Sequence, residues 1–288
     1  MPELTIAAAA APFSRDMDAC LATIEQTIAD ARRHGVGLLV LPEAALGGYV
    51  ETLHGDAEPP PALSADGPEL AAVAAMAGDM VVCVGFCEDG GDGVRYNAAA
   101  CLTGDGVIGV HRKTHLPLDE DRISTVGDSL ATYDTPVGRI GMLICYDKAF
   151  PEAARTLTLD GAEVLCFLSA WPTSATNPAP VLTEDRQWRR AELWDRARAA
   201  ENSLVVASAN QTGSFGRLDF LGGARITGPG GDILAATGPE PGLAITTLDL
   251  ETTLTRARRA LSPIRDLRPD LYRVPEPVPY PDAAPVRG

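Results

Sequence analysis

The segment Gly138-Arg-Ile-Gly-Met-Leu-Ile-Cys-Tyr-Asp-Lys-Ala-Phe-Pro-Glu-Ala-Ala-Arg155 joins an apolar run to a helix start. Its first half, Arg139 to Ile144, predicts a short buried strand. Its second half predicts a helix from Pro151-Glu152, because proline fits the first helical position and glutamate suits the helix dipole. Cys145 lies between them, near a helix N-terminus that favours a thiolate. Cys145 is therefore a candidate nucleophile, although most free cysteines are simply small buried residues.

The composition is that of a globular protein with a sizeable core. Of 288 residues, 45% are hydrophobic and 22% are charged. The net charge of −15 would repel nucleic acid and anionic membranes, so we expect neither as a partner. No apolar run reaches about 18 residues, and Glu3 stands where a signal peptide carries positive charge. We therefore expect no transmembrane helix and a cytoplasmic location.

The six cysteines are scattered through mostly apolar surroundings, unlike a secreted disulfide framework. Cys83 and Cys87 would share one face of a strand, and a metal pair is one interpretation. No second pair or cluster of histidines completes four ligands, so we expect core packing for both.

Predicted strands and helices alternate along most of the chain. After an N-terminal strand ending at Ala11, strands are predicted over 36–41, 79–87, 94–102, 106–112, 130–134, 138–144, 163–169, 204–209 and 243–250, with a hairpin over 225–234. Helices are predicted from Ser14 or Asp16 to His34, from about 69, over 151–161 and over 183–201. This order predicts one α/β domain over 1–273. The proline-rich tail, 274–288, is predicted to lie extended over a surface or a neighbouring subunit.

Three reactive side chains follow predicted strands. Glu43 ends one, Lys113 ends another and Cys145 ends a third, and the rim of a sheet is where α/β sites form. Taken singly, Glu43 and Lys113 could each be an exposed loop residue. Together, a thiol nucleophile, a carboxylate that moves protons and a cation that stabilises an oxyanion are what acyl transfer from an amide requires.

The segments Leu41-Pro-Glu-Ala-Ala-Leu-Gly-Gly-Tyr49, His111-Arg-Lys-Thr-His-Leu116 and Leu143-Ile-Cys-Tyr-Asp-Lys-Ala-Phe-Pro-Glu152 resemble the three signature blocks of the nitrilase superfamily of carbon–nitrogen hydrolases. Their order and spacing are also similar. The likeness continues through 167–172, 210–213, 228–234 and 266–272, and so covers essentially the whole chain.

The resemblance implies a four-layer αββα sandwich that pairs with a second subunit, giving a homodimer or a larger homo-oligomer. It also implies a Glu–Lys–Cys triad that needs no metal or organic cofactor. By this likeness, Glu43 is the general base, Lys113 stabilises the oxyanion and Cys145 forms a thioester.

Many members of the superfamily have a second glutamate eight residues after the lysine. Asp121 stands there in this chain, and Glu120 precedes it. Either carboxylate is a candidate for positioning the substrate or the lysine, and the alternative for both is a solvated acidic loop.

Three aromatic residues are candidates for the substrate pocket. Tyr146 follows the candidate nucleophile, where a backbone amide commonly binds the oxyanion. Trp171 resembles a pocket-wall residue of the superfamily, with ordinary packing as the alternative, and Tyr49 fits either role.

The residues after Cys145 bear on the substrate. In the superfamily Cys-Tyr-Asp is commoner among amidases and carbamoyl-amide hydrolases, and nitrile-hydrolysing members usually have Cys-Trp-Glu. We therefore expect hydrolysis of a small or medium amide to ammonia and a carboxylic acid. A nitrilase, an acyltransferase and a non-catalytic binding protein stay as alternatives, and the three reactive groups together argue against the last.

Overall fold

A computed structural model describes residues 3–259 and 261–273, and these contain thirteen strands and five α-helices. The helices are α1 (Met17–Arg33), α2 (Pro68–Ala77), α3 (Pro151–Leu159), α4 (Arg186–Asn202) and α5 (Leu250–Arg259). The strands are β1 (Leu4–Ala11), β2 (Leu38–Val40), β3 (Val81–Gly91), β4 (Val94–Thr103), β5 (Gly106–Arg112), β6 (Thr132–Thr135), β7 (Gly138–Ile144), β8 (Val164–Ser169), β9 (Val205–Phe215), β10 (Leu218–Leu221), β11 (Arg225–Thr227), β12 (Ile233–Ala236) and β13 (Gly242–Leu248).

The strands form one continuous sheet that folds back on itself. Its main path runs β5-β4-β3-β2-β1-β9-β8-β7-β6. In the middle, β1 and β9 pair only through Ala10 with Asn210 and Ala11 with Gln211. Strands β3 and β4 of one half contact β8 and β7 of the other, so the two halves face each other as two layers.

Helices cover both outer faces of this double layer. In β1 the residues Ile6, Ala8 and Ala10 join the core that includes the second half of the sheet, whereas Ala7, Ala9 and Ala11 join the core that includes α1 and α2. This alternation follows from the period of two along a strand. Helices α3 and α4 pack against the second half through Ala153, Ala154 and Leu157 of α3 and Ala199 of α4. The layers are therefore αββα, and the predicted fold class is confirmed.

Four strands that precede the candidate site end at the same edge of the sandwich. Strand β2 is parallel to β3, and β5 has the same direction because two antiparallel pairings separate it from β3. Strands β7, β8 and β9 are parallel to one another and to β1. The residues after β2, β5, β7 and β8 consequently meet at one rim.

Two elements differ from the sequence prediction. The strand predicted over 243–250 ends at Leu248, and α5 follows it. Helix α5 buries only Leu250 and Leu254, too few apolar positions to show a helical period. Strand β9 continues through its polar end to Phe215 and forms a hairpin with β10, where the prediction stopped at residue 209.

The predicted domain limits, 1–273, stay a prediction, and the proline-rich tail at 274–288 lies outside the described residues. Within 3–259 and 261–273, no helix is both long and apolar enough to cross a bilayer.

Candidate active site

Glu43, Lys113 and Cys145 meet at the rim of the sandwich, each just after a strand. The ammonium nitrogen of Lys113 lies 2.8 Å from Oε1 of Glu43, and both side chains are fully buried. The Cys145 thiol is close enough to both groups for the charges of Glu43 and Lys113 to act on its pKa. The three groups that the sequence predicted as one site therefore lie together, with Lys113 in direct contact with Glu43 and Cys145 beside them.

Hydrogen bonds fix Glu43 on several sides. Its Oε2 accepts the backbone N–H of Ala170 at 2.6 Å, and its Oε1 accepts from Nδ2 of Asn97 at 2.7 Å. Its backbone carbonyl accepts from Nε2 of Gln211 at 2.8 Å. These contacts come from β4, β9 and the residue after β8, so the carboxylate is positioned by both halves of the sheet.

Gly85 on β3 lets the Glu43 backbone approach the sheet closely. A Cβ atom at this position would lie 2.4 Å from the backbone nitrogen of Ala44 and 2.7 Å from Cα of Glu43. Any side chain at Gly85 would therefore push the Glu43 loop away from the site.

Glu120 is the second carboxylate of the site. Its Oε2 lies 2.8 Å from Nζ of Lys113, and its Oε1 accepts from Nδ2 of Asn97 at 2.6 Å. Asn97 thereby connects Glu43 to Glu120. Asp121, the alternative candidate, is exposed. The short 3₁₀ helix over 118–122 turns Glu120 inward and Asp121 outward, so of the two candidates only Glu120 reaches Lys113.

The two carboxylates keep Lys113 charged. Burial alone would lower the pKa of Lys113, but the attraction of Glu120 and Glu43 outweighs it and holds this pKa well above its ordinary value. Burial raises the pKa of Glu120, and repulsion from Glu43 adds to this effect, against the attraction of Lys113. The site therefore contains a permanent cation between two carboxylates.

Cys145 begins a 3₁₀ turn over 145–149 and has a φ of +48°, an uncommon left-handed conformation for a residue with a side chain. The expected thiolate is wrong for the resting site. Burial and the charge of Glu43 raise the pKa of Cys145 well above its ordinary value, against the opposing effect of Lys113. Helix α3 starts only at Pro151, after the turn, so its N-terminus does not offset the burial.

Asp147 ties the 3₁₀ turn to the end of β5. Its oxygens accept the backbone N–H of Ile144 at 3.0 Å and of His115 at 2.9 Å, and the Thr114 hydroxyl at 2.9 Å. Ring nitrogens of His111 and His115 lie 3.2 and 2.8 Å from it. Although burial acts in the opposite direction, these contacts hold the pKa of Asp147 well below its ordinary value. Asp147 therefore positions the turn and stays ionised.

A second buried network lies behind the 3₁₀ turn. Nζ of Lys148 is 2.8 Å from Oδ1 of Asp195 and 3.0 Å from the Ser208 hydroxyl, and Nη1 of Arg225 is 2.9 Å from Oδ2 of Asp195. Asp195 is on α4, so this carboxylate joins the turn to the outer helix layer and to β11.

A cavity of about 340 Å³ opens onto Cys145. Tyr49, Tyr146 and Trp171, the three aromatic residues predicted to bind substrate, all line it. The indole N–H of Trp171 donates to Oε1 of Gln187 at 3.2 Å, which fixes this wall against α4. The cavity has the size of a small-molecule site.

The sequence does not predict several of the positioning residues. Asn97 and Gly85 lie in the middle of strands and carry no local signal of a site, and Gln187 lies within a helix whose sequence pattern is ordinary and amphipathic. Within the part of the chain that the structure describes, no group of three His, Cys, Asp or Glu side chains is arranged to hold a metal ion.

The rim of the αββα sandwich holds a buried thiol, a carboxylate and an ammonium. These are the groups that a cysteine-dependent acyl-transfer enzyme needs. A family profile described as carbon–nitrogen hydrolase matches residues 5–258, and the chain belongs to this family. The resemblance found in the sequence is thereby confirmed.

Named relatives and a solved structure agree with this assignment. The chain is 33% identical over 269 residues to deaminated glutathione amidase of Homo sapiens, covering 87% of this chain and 78% of the relative. It is 28% identical over 293 residues to N-carbamoylputrescine amidase of Solanum lycopersicum, covering 94% of each. The crystal structure of a carbon–nitrogen hydrolase from Helicobacter pylori G27 superposes with a TM-score of 0.79 at 23% identity, covering 94% of this chain and 97% of that one, and supports the fold.

Proposed function

We propose that this enzyme hydrolyses the C–N bond of a small or medium amide through a thioester on Cys145, releasing ammonia and a carboxylic acid. The observation that carries the proposal is that the Cys145 thiol, which lines a cavity, lies within the electrostatic influence of both Glu43 and Lys113, whose charged groups are 2.8 Å apart. A binding protein would need none of these buried charges as a set, because their burial is unfavourable.

In the first half-reaction, Glu43 takes the thiol proton as Sγ of Cys145 attacks the carbonyl carbon. The carbonyl oxygen becomes an oxyanion, and Lys113 with the backbone N–H of Tyr146 stabilises it. The intermediate collapses to the thioester as the C–N bond breaks, and Glu43 gives its proton to the departing nitrogen. The high pKa of Cys145 supports this order, since a neutral resting thiol needs a base at the moment of attack.

In the second half-reaction, Glu43 takes a proton from water as the water oxygen attacks the thioester carbonyl. The second oxyanion collapses, the C–S bond breaks, and the thiolate recovers its proton from Glu43. In this scheme Glu120 and Asn97 do not touch the reacting atoms. They are positioning residues that hold Lys113 and Glu43 in place.

An amide is the preferred substrate class for two reasons. Both named relatives are amidases, and one of them acts on a carbamoyl compound. The apolar and aromatic walls of the cavity suit the carbon chain of a small carboxylic acid.

The test is ammonia release by the purified enzyme from a panel of amides, carbamoyl compounds and nitriles. We expect release from amides, loss of at least a thousandfold in kcat for Cys145→Ala, and little change for the control Cys20→Ser on α1. Release from nitriles alone would indicate a nitrilase, transfer to hydroxylamine in preference to water would indicate an acyltransferase, and no release from any compound would contradict the proposal.

We also propose a homodimer and a cytoplasmic location, following the resemblance and the composition. Light scattering of the purified chain and fractionation of expressing cells test them, and a monomer or a secreted product would contradict the respective proposal.

A further inference from the structure

We propose that the amide substrate carries a second, negatively charged group, most simply a carboxylate, which Arg190 and Gln187 bind at the α4 wall of the cavity. This inference rests on the proposed amidase function and narrows its substrate class.

The charge of the cavity lining is the first observation. Of the described residues that line it, Arg190 alone carries a full charge at neutral pH, because the thiol of Cys145 is neutral. The lining also includes the apolar side chains of Leu53, Leu116 and Leu118. Arg190 is exposed, and a guanidinium without an acidic partner beside such a cavity favours an anion and disfavours a cation.

The second observation is the arrangement of donors on α4. Gln187, Arg190 and Trp194 are three and four residues apart, so they share one face of the helix, and all three line the cavity. Oε1 of Gln187 accepts the indole N–H of Trp171, which leaves its amide nitrogen as a donor. The Arg190 guanidinium lies 5.7 Å from the centre of the Trp194 ring, a cation–π distance. A guanidinium and an amide N–H on one wall are suited to the two oxygens of a carboxylate.

The third observation is that the arginines at the start of α4 have no acidic partner among the described residues, unlike those further along the helix. Further along the helix, Arg196 and Arg198 have acidic partners, Glu192 and Glu201. At its start, Arg186, Arg189 and Arg190 have no ion-pair partner among the described residues. Like charges at this spacing repel each other within a helix. In a chain with a net charge of −15, this concentration of positive charge beside the cavity is local and matches an anionic ligand.

The volume of the cavity limits the size of the substrate. At about 340 Å³ it is near the lower end of small-molecule sites. The chemical class that fits these observations is the monoamide of a short dicarboxylic acid, with the amide at Cys145 and the carboxylate at Arg190.

Three amides of matched length test the inference: glutaramate, which ends in a carboxylate, valeramide, which ends in a methyl group, and γ-aminobutyramide, which ends in an ammonium. We expect kcat/KM to fall in that order, with glutaramate preferred over valeramide by about tenfold or more. In Arg190→Gln the ratio of glutaramate to valeramide should fall by about tenfold to a hundredfold, mainly through KM. Arg189→Gln is the matched control, because it removes the same charge from the next residue, which does not line the cavity.

Equal or better hydrolysis of valeramide by the wild-type enzyme, or the same loss in both arginine variants, would overturn the inference and leave the amidase function standing. Calorimetry with glutarate, which cannot be hydrolysed, distinguishes a failure of the anion site from a failure of the proposed amidase function. Glutarate binding that is lost in Arg190→Gln and kept in Arg189→Gln supports the anion site even if no amide is hydrolysed. Absence of Arg190-dependent glutarate binding overturns it.

Discussion

The ammonium of Lys113 lies 2.8 Å from the Glu43 carboxylate, and neither side chain is exposed to solvent. In such surroundings, each charge depends on its partner, because an unpaired buried ion is strongly destabilising. The pair is therefore both part of the proposed catalytic set and part of the core, and variants of the residues around it should affect rate and stability to different degrees.

Glu120 and Asp121 are adjacent, and only Glu120 contacts Lys113. We expect Glu120→Gln to lower kcat by about a hundredfold, because Lys113 loses one of the two charges that hold it in place. Asp121→Asn should leave both kcat and the melting temperature close to wild type, since Asp121 is exposed. Steady-state kinetics and thermal unfolding of the two variants check this, and a larger loss in Asp121→Asn would contradict the assignment.

Gly85→Ala should impair the site although residue 85 touches no substrate. The added Cβ would lie 2.4 Å from the backbone nitrogen of Ala44, so the Glu43 loop must shift. We expect a loss of about 1–3 kcal/mol in the free energy of unfolding and a fall in kcat of at least tenfold. The control is Gly238→Ala, where a Cβ meets no atom within 4 Å. Full activity of Gly85→Ala would show that Glu43 tolerates displacement.

Asp147→Asn tests the anchor of the 3₁₀ turn through pH. The pKa of Asp147 is lower in the folded chain than its ordinary value, so its stabilisation is present above that ordinary value, about 3.9, and is lost as the pH falls through the folded pKa. The neutral amide side chain of the variant cannot accept all of these hydrogen bonds, and we expect a deficit of about 1–3 kcal/mol at pH 7.

Urea unfolding between about pH 7 and 3 should show this deficit narrowing only below about pH 4, where Asp147 begins to protonate in the unfolded chain while it stays ionised in the folded one. A deficit that is the same at every pH would mean that the Asp147 charge does not stabilise the turn.

Asp195 pairs with two buried cations, Lys148 and Arg225. Asp195→Asn leaves both without a counter-charge, and we expect a loss of about 3–5 kcal/mol in the free energy of unfolding. Adding Lys148→Met to this variant should recover part of the loss, because it removes one of the unpaired cations. The surface pair of Glu192 with Arg196 is the control, and Glu192→Gln should change stability by less than about 1 kcal/mol. Equal losses in Asp195→Asn and Glu192→Gln would contradict the role of this network.

The sequence predicts well those features that are local. Apolar runs with turn residues locate most strands, and Glu43, Lys113 and Cys145 are recognisable because each follows such a run within a signature block. Asn97 and Gly85 could not be predicted, since their partners lie far away along the chain, on other strands.

Two other residues show the limit of local patterns. Asp147 suggested a substrate preference, whereas its structural role is to connect the 3₁₀ turn with the end of β5, a contact between segments over thirty residues apart. The pKa of Cys145 depends on burial and on Glu43, which the neighbouring helix start did not reveal.

The central claim is that Cys145 carries the acyl group during turnover. Its most direct test is the intact mass of the enzyme after acid quench within the first turnover of its best amide substrate, with peptide mapping of the adduct. We expect an added acyl group on the peptide that contains Cys145, and neither adduct nor ammonia release in Cys145→Ala. Ammonia release at the wild-type rate by a folded Cys145→Ala enzyme would contradict the claim.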